Sequence, residues 1–446
     1  MGRHFGTDGI RGVAGVDLTP QLATAAASAA ARVIGKGRGH VVVGADTRIS
    51  SDMISYAAAA GLAAQGLDAW MAGVIPTPAV AMLAPRTGAE FGIVVSASHN
   101  PYEYNGIKLF GPDGYKLPDS SEDAVEAVLE GMLAGTEPIC AGRDRIGKVV
   151  DYSEGQAVYS DFAASSVKGS LKGLKVVLDC ANGAASYIAP GAFRRLGAEV
   201  VAINDRPDGL NINSRCGATS PEGLAEAVKK LGCDVGFAFD GDADRCIMAD
   251  ESGNVLDGDF EMAMLARHMK EEGRLGGDAV VATPYSNLGF AEALEKLGLR
   301  QLTAGNGDRY VLEMMRQQGL NLGGEQSGHI LMLDLSTTGD GLLTALRLAA
   351  MVRSGGRRAS EMASLMRKYP QGQRAVKVAH KDRLSGNAAI AEAIREAELG
   401  LMGKGRVFVR ASGTEPVVRI MVEAADGRSV DAILERLAEL VGEQLS

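Results

Sequence analysis

The stretch HVVVGADTRISSDMISYAAAAGLAAQGLDAWM, residues 40–71, decides the fold. Its apolar opening reads as a buried strand that ends in a loop at Asp46 and Thr47. Residues 51–65 form an alanine-rich helix, Gly66 stops it, and 67–71 returns as a strand. Strands joined through such a helix run parallel, because the crossover carries the chain back to its starting edge. The succession recurs as strand 174–178, helix 186–196, Gly197 and strand 199–203. It recurs again as strand 279–282, helix 288–297, Gly298 and strand 299–302. Little residue identity accompanies the repeats, so they are topological. Beyond 369–373 the order changes to strand 375–379, helix 387–398, strands 407–409 and 417–422, and a long helix from Ser429.

The predicted class is α/β: three topologically similar mixed/parallel α/β domains plus a C-terminal α+β domain around a central cleft. Gly, Pro and charged residues gather at 135–153, 251–253 and 369–373, dividing the chain into residues 1–150, 151–252, 253–369 and 370–446. A chain of 446 residues exceeds what one core serves, at about 150 residues per domain. Its net charge of −9, from 46 Lys and Arg against 55 Asp and Glu, excludes a nucleic-acid binder. Five cysteines without a CxxC pair exclude a disulfide framework or a structural zinc site and fit a reducing cytoplasm. The start lacks an apolar signal region, and Thr24, Ser28 and Arg32 break the apolar run 21–34. No membrane role is expected.

Four motifs carry chemistry. GIVVSASHNPYEYNGIKLF (92–110) runs from a buried strand into Ser, His, Asn and Pro, which cannot continue a central strand. Ser, Asn and Pro also make ordinary turns, yet a hydroxyl at a strand's carboxyl end is well placed to be a nucleophile, and Ser98 is the candidate. FDGDADR (239–245) alternates Asp240, Asp242 and Asp244, which repel one another unless a hard cation such as magnesium neutralises them. An EF-hand is excluded because Arg245 occupies the position of its turn glycine and the flanks read as strands. Arg245 can reach a phosphate oxygen.

GGEQSGH (323–329) sets Glu325, Ser327 and His329 at alternate positions, where carboxylate and hydroxyl suit vicinal sugar hydroxyls. RASGTEPVVR (410–419) gathers Arg410, Ser412, Gly413, Thr414 and Arg419, a cradle for a phosphate dianion if it is not simply a hairpin with two solvated arginines. Lys108 and His329 are the proton-transfer candidates, with pKa values that a cationic cleft would bring toward neutrality. No Gly-Lys is followed by Ser or Thr, so a Walker A loop is absent, and GKGRG (35–39) precedes a strand, the wrong order for a dinucleotide fingerprint.

In this order and at these separations, the four motifs, with GTDGIRG (6–12) before them, resemble those of the alpha-D-phosphohexomutase superfamily, and within it the phosphoglucosamine mutases. The resemblance implies a magnesium-dependent isomerase in which Ser98 carries a phosphate and Arg11 enters the cleft. One Mg2+ would sit on Ser98, Asp240, Asp242 and Asp244. Arg245, Glu325 and Ser327 would hold the sugar phosphate, and Arg410, Ser412, Gly413, Thr414 and Arg419 its distal phosphate. Glucosamine 6-phosphate and 1-phosphate would interconvert through glucosamine 1,6-bisphosphate, feeding UDP-N-acetylglucosamine and cell-wall synthesis. The partner would be a small-molecule sugar phosphate, and the enzyme a cytoplasmic monomer or homodimer. The sequence leaves open a phosphomannomutase or phosphoglucomutase, an aspartyl-phosphate phosphatase acting through Asp240, and a non-catalytic sugar-phosphate binding protein. One departure is AGNGDRY at 304–310, which lacks the valine the family places before GDRY.

Overall fold

A computed structural model describes residues 4–6, 8–142, 144–412 and 416–446. Gly413 and Thr414 lie outside the described residues. The first sheet has seven strands, in the order Phe5–Gly6, Gly9–Val13, Tyr104–Phe110, Phe91–Val95, His40–Ala45, Asp68–Val74 and Val149–Asp151. His40–Ala45 pairs in parallel with both Asp68–Val74 and Phe91–Val95, whereas Tyr104–Phe110 runs antiparallel to Phe91–Val95. All five residues of FGIVV are buried, as a strand covered on both faces requires. Helices Pro20–Ile34, Ser51–Ala64 and Asp119–Leu133 cover one face, and Thr77–Thr87 the other.

The second sheet orders Val255–Leu256, Cys246–Asp250, Val235–Phe239, Lys175–Asp179 and Glu199–Ile203. The third orders Arg300–Thr303, Ala279–Ala282, Leu322–Gly324 and Ile330–Met332. Each contains the parallel pair that its strand-helix-glycine-strand unit predicts. The fourth sheet is antiparallel, with Val417–Ala424 between Gln371–Lys377 and Gly405–Ala411, and helices Ala388–Gly400 and Gly427–Leu445 cover it. The α/β class with a distinct C-terminal unit is therefore the one observed.

Two elements depart from the expected spans. The helix expected over 186–196 is a 3-10 turn, Ala184–Tyr187, followed by the helix Ala189–Arg195. Pro190 lacks the amide that would continue the earlier turn, so the helix restarts there. The strand expected over 375–379 is Gln371–Lys377, its first half hidden in the sequence by polar residues and Gly372. Cores are also shared. The largest apolar cluster runs from Val42 and Phe110 under the first sheet, through the second, to Met366 beyond the third, while the fourth sheet keeps its own.

Candidate active site

Ser98 follows the strand Phe91–Val95 and is 1% exposed, with its backbone in the left-handed region at φ 52°. A non-glycine residue adopts that conformation only where its surroundings enforce it. The turn aims the side chain at the second sheet, and Ser98 Oγ donates to Asp240 Oδ2 at 2.6 Å. Asp240, Asp242 and Asp244 occupy the turn between the antiparallel strands Val235–Phe239 and Cys246–Asp250, all three buried. One ligand oxygen from each lies within 4.8 Å of the others. Burial, then the charges of Asp244 and Asp242, push the Asp240 carboxyl well above the usual carboxylate range. Asp242 Oδ1 and Asp244 Oδ1 are buried without a hydrogen-bond partner. The unpartnered Asp242 Oδ1 among three crowded acids is what a hard cation would satisfy, and the residues fit such an ion.

Groups from the first and third units close around this triad. Lys108 Nζ lies 2.9 Å from Asp242 Oδ2, 3.3 Å from Asp8 Oδ2 and 3.6 Å from Asp244 Oδ2. Thr77 Oγ1 donates to Asp242 Oδ2 at 2.5 Å. His329 Nδ1 stands 3.5 Å from Asp244 Oδ1, and its Nε2 3.4 Å from Asp308 Oδ2. The expectation that Lys108 and His329 move toward neutrality is reversed, because acids rather than cations surround them. Burial opposes the charge of Lys108, but Asp242, Asp8 and Asp244 raise it above the usual lysine range. Burial likewise opposes the His329 charge, and Asp244 with Asp308 and Glu325 raises it to about 9. His99 behaves oppositely: burial and then Arg245 and Arg11 lower it to about 4.

A cavity of ≈ 770 Å³ opens over these groups and collects residues from all four units. Arg11, Ser98, Asp244, Arg245, Glu325, His329, Arg410, Ser412 and Arg419 line it. Ser327 lines an adjoining cavity of ≈ 620 Å³, which shares Arg245, Glu325, Arg410 and Arg419. Ser327 Oγ donates to Glu325 Oε2 at 3.2 Å, fixing that carboxylate. Arg410 and Arg419 face each other across the hairpin of Gly405–Ala411 and Val417–Ala424. Tyr285 holds Arg410 in place: Arg410 Nε donates to the phenol at 2.8 Å, and the guanidinium lies 5.6 Å from the ring centroid.

Several participants have no motif. Lys116 bridges Asp8 of the first unit and Asp308 at the start of the helix Asp308–Gln318 in the third. Thr77 and the loop-gripping Arg48 and Asn213 also carry no local signal, because the Asp242 and Ser98 groups they bind lie 50 to 165 residues away. For Asp8 and Asp308, membership of GTDGIRG and GDRY was the available hint.

The chain matches the family described as phosphoglucomutase/phosphomannomutase in four successive pieces. These are alpha/beta/alpha domain I at residues 2–133, domain II at 156–253, domain III at 257–369 and the C-terminal domain at 375–440. It is 48% identical over 448 residues to a phosphoglucosamine mutase of Clostridium novyi, covering 100% of this chain and 99% of that protein. It is 48% identical over 451 residues to one of Geobacillus kaustophilus, covering 100% and 99%. The chain belongs to the phosphoglucosamine mutase family. Like other phosphohexomutases it is an isomerase that works by phosphoryl transfer. The phosphohexomutase fold is seen too in a phosphoglucomutase/phosphomannomutase family protein of Burkholderia thailandensis, at TM-score 0.80 and 24% identity over 98% of this chain and 96% of that one. It is seen again in Aspergillus fumigatus N-acetylphosphoglucosamine mutase, crystallised with GlcNAc-6P and magnesium, at TM-score 0.70 and 19% identity over 99% and 96%. Among the described residues of this phosphohexomutase, no helix is long and apolar enough to cross a membrane.

Proposed function

We propose that the protein interconverts glucosamine 6-phosphate and glucosamine 1-phosphate, with Ser98 as the phosphoryl carrier. The observation that carries this is the 2.6 Å bond from Ser98 Oγ to Asp240, in the wall of a cavity that Arg410 and Arg419 line from another unit. In the forward direction the bond from phosphorus to Ser98 Oγ breaks as one to the sugar O1 forms, and the proton that O1 loses ends on Ser98 Oγ. The resulting 1,6-bisphosphate turns over, and its O6 phosphoryl group returns to Ser98. Each transfer makes one P–O bond and breaks another, so positioning and charge neutralisation supply the catalysis.

Asp240, Asp242, Asp244 and the Ser98 phosphate would hold a magnesium ion. That ion, when bound, neutralises the acidic cluster and draws charge from the transferring phosphoryl oxygens. Arg410, Ser412 and Arg419 grip the phosphate that is not reacting. Glu325 and Ser327 accept the ring hydroxyls in either orientation. Arg11 and Arg245 face the transferring group. His329 and Lys108, set against Asp244 and Asp242, are the proton-transfer and charge-balancing groups beside the reacting oxygens.

Ser98→Ala tests the reading. Turnover should fall by about a thousandfold or more, and intact-mass analysis should find no phosphoryl group on the variant. Retention of turnover within about tenfold of the parent overturns it. Rates on glucosamine, glucose and mannose 6-phosphates decide the sugar: a preference for glucosamine is expected, and equal rates would move the protein to the glucose and mannose mutases.

A further inference from the structure

We infer that Arg48 and Asn213 are positioning residues that hold Ser98 in its left-handed conformation by pinning the carbonyls of its loop; this rests on the phosphoserine reading above. Arg48 is 2% exposed and sits under the Ser98 loop. Its Nη2 donates to Ser98 O and Asn100 O, both at 2.9 Å, and its Nη1 to Tyr104 O at 2.9 Å and to Pro101 O. One guanidinium thus closes four carbonyls that a sheet would otherwise have to satisfy. Asn213, from the second unit, donates through Nδ2 to Ser98 O at 2.9 Å and Asn100 O at 3.1 Å.

The peptide planes on both sides of Ser98 are consequently fixed. Behind it, Ser98 N donates to Ser96 Oγ at 2.9 Å, and Ser96 Oγ donates to Asp46 Oδ2 at 2.7 Å. Asp46 also accepts from Arg48 Nε at 2.8 Å, so the two pins meet at one fully buried ion pair. Ahead of it, the carbonyl has two donors. A serine at φ 52° that lost these restraints would relax toward an ordinary conformation and swing Oγ away from Asp240. Neither Arg48 nor Asn213 lines the substrate cavity. Their loss should therefore slow transfer and leave binding intact.

The test uses the full-length enzyme, with wild type, Arg48→Met, Arg48→Lys and Asn213→Gly loaded from glucose 1,6-bisphosphate and followed by intact mass. Glycine at 213 keeps the positive φ that Asn213 adopts, so only the amide is removed. Loading, and single-turnover transfer to glucosamine 6-phosphate, should slow by about tenfold in Asn213→Gly and about a hundredfold in Arg48→Met. KM should stay within about threefold, and added guanidinium ion should restore part of the Arg48→Met rate but none of the Asn213→Gly rate. Should Arg48→Met fail to fold, Asn213→Gly decides alone. Transfer within about threefold of wild type, or a rise in KM at constant kcat, overturns the clamp. If wild type itself takes up no phosphoryl group, the phosphoserine reading falls and the clamp with it. A wild type that loads beside variants that transfer normally removes the clamp alone.

Discussion

Thr77 binds the second metal-loop acid twice, through its hydroxyl to Asp242 Oδ2 at 2.5 Å and through its amide to Asp242 O at 2.9 Å. Thr77→Val keeps the shape and the amide but loses the hydroxyl. Magnesium affinity measured by calorimetry should weaken by about tenfold to a hundredfold, as for lost outer partners of other metal ligands. A second buried acid, just behind the turn that carries Asp244, gives a pH signature of its own. Asp340 accepts from Tyr159 Oη at 2.8 Å and from Leu343 N at 2.9 Å, and burial raises it to about 7. The native state then binds more protons than the unfolded chain from about pH 4 to pH 7, so stability is greatest at the acid end and declines as pH rises through 7. Asp340→Asn keeps the cap acceptor and should flatten that decline in a Tm series, by at most about 1.4 kcal/mol per pH unit for one proton. The three aspartates were legible in the sequence because their spacing is local, and Ser98 because it ends a buried strand, but not their meeting across 142 residues. Arg48, Asn213, Thr77 and Lys116 were not, since each acquires a role only from a partner on another strand or sheet.

Loops carry the site, and strands aim them. The turn after Leu322–Gly324 brings Gly328 against the strand Cys246–Asp250, where a Cβ would lie 2.0 Å from Cys246 O, and its φ is +89°. Gly328→Ala must therefore displace the turn that carries Glu325 and Ser327. We expect KM for the sugar phosphate to rise by about tenfold and stability to fall by about 1–3 kcal/mol, read from steady-state kinetics and denaturant melts. The parallel units were legible because helix period, glycine stop and apolar strand occur together three times. The strand Gln371–Lys377 was only half legible. Its partner Val417–Ala424, in register over seven residues, makes it a strand despite its polar sequence.

Across the whole molecule, the joint between the third and fourth units turns on Asn287. This buried side chain donates to Tyr369 O at 3.0 Å and to Glu423 Oε1 at 2.8 Å, and accepts from Tyr369 N at 2.8 Å. Closure about 369–373 would pivot on these bonds. Asn287→Ala should cost about 1–3 kcal/mol for the buried groups left unpaired and change kcat and KM together, as hinge substitutions do. Amide exchange at 369–373 should quicken. The sequence marked a seam at 369–373, but no pattern announced the part of Asn287 in it, or the apolar cluster that runs through the first three sheets, because both depend on how finished units dock. The fourth sheet, packed around its own cluster, is the exception. Its independence has an outcome for chemistry as well as for folding. Ser98 and the acids that face it lie wholly in the first two units, whereas among the described residues the last unit reaches the cavity only through Arg410, Ser412 and Arg419. An enzyme that lost the hold of those residues would leave a charged serine facing solvent in place of a seated sugar, and transfer would give way to wasteful hydrolysis.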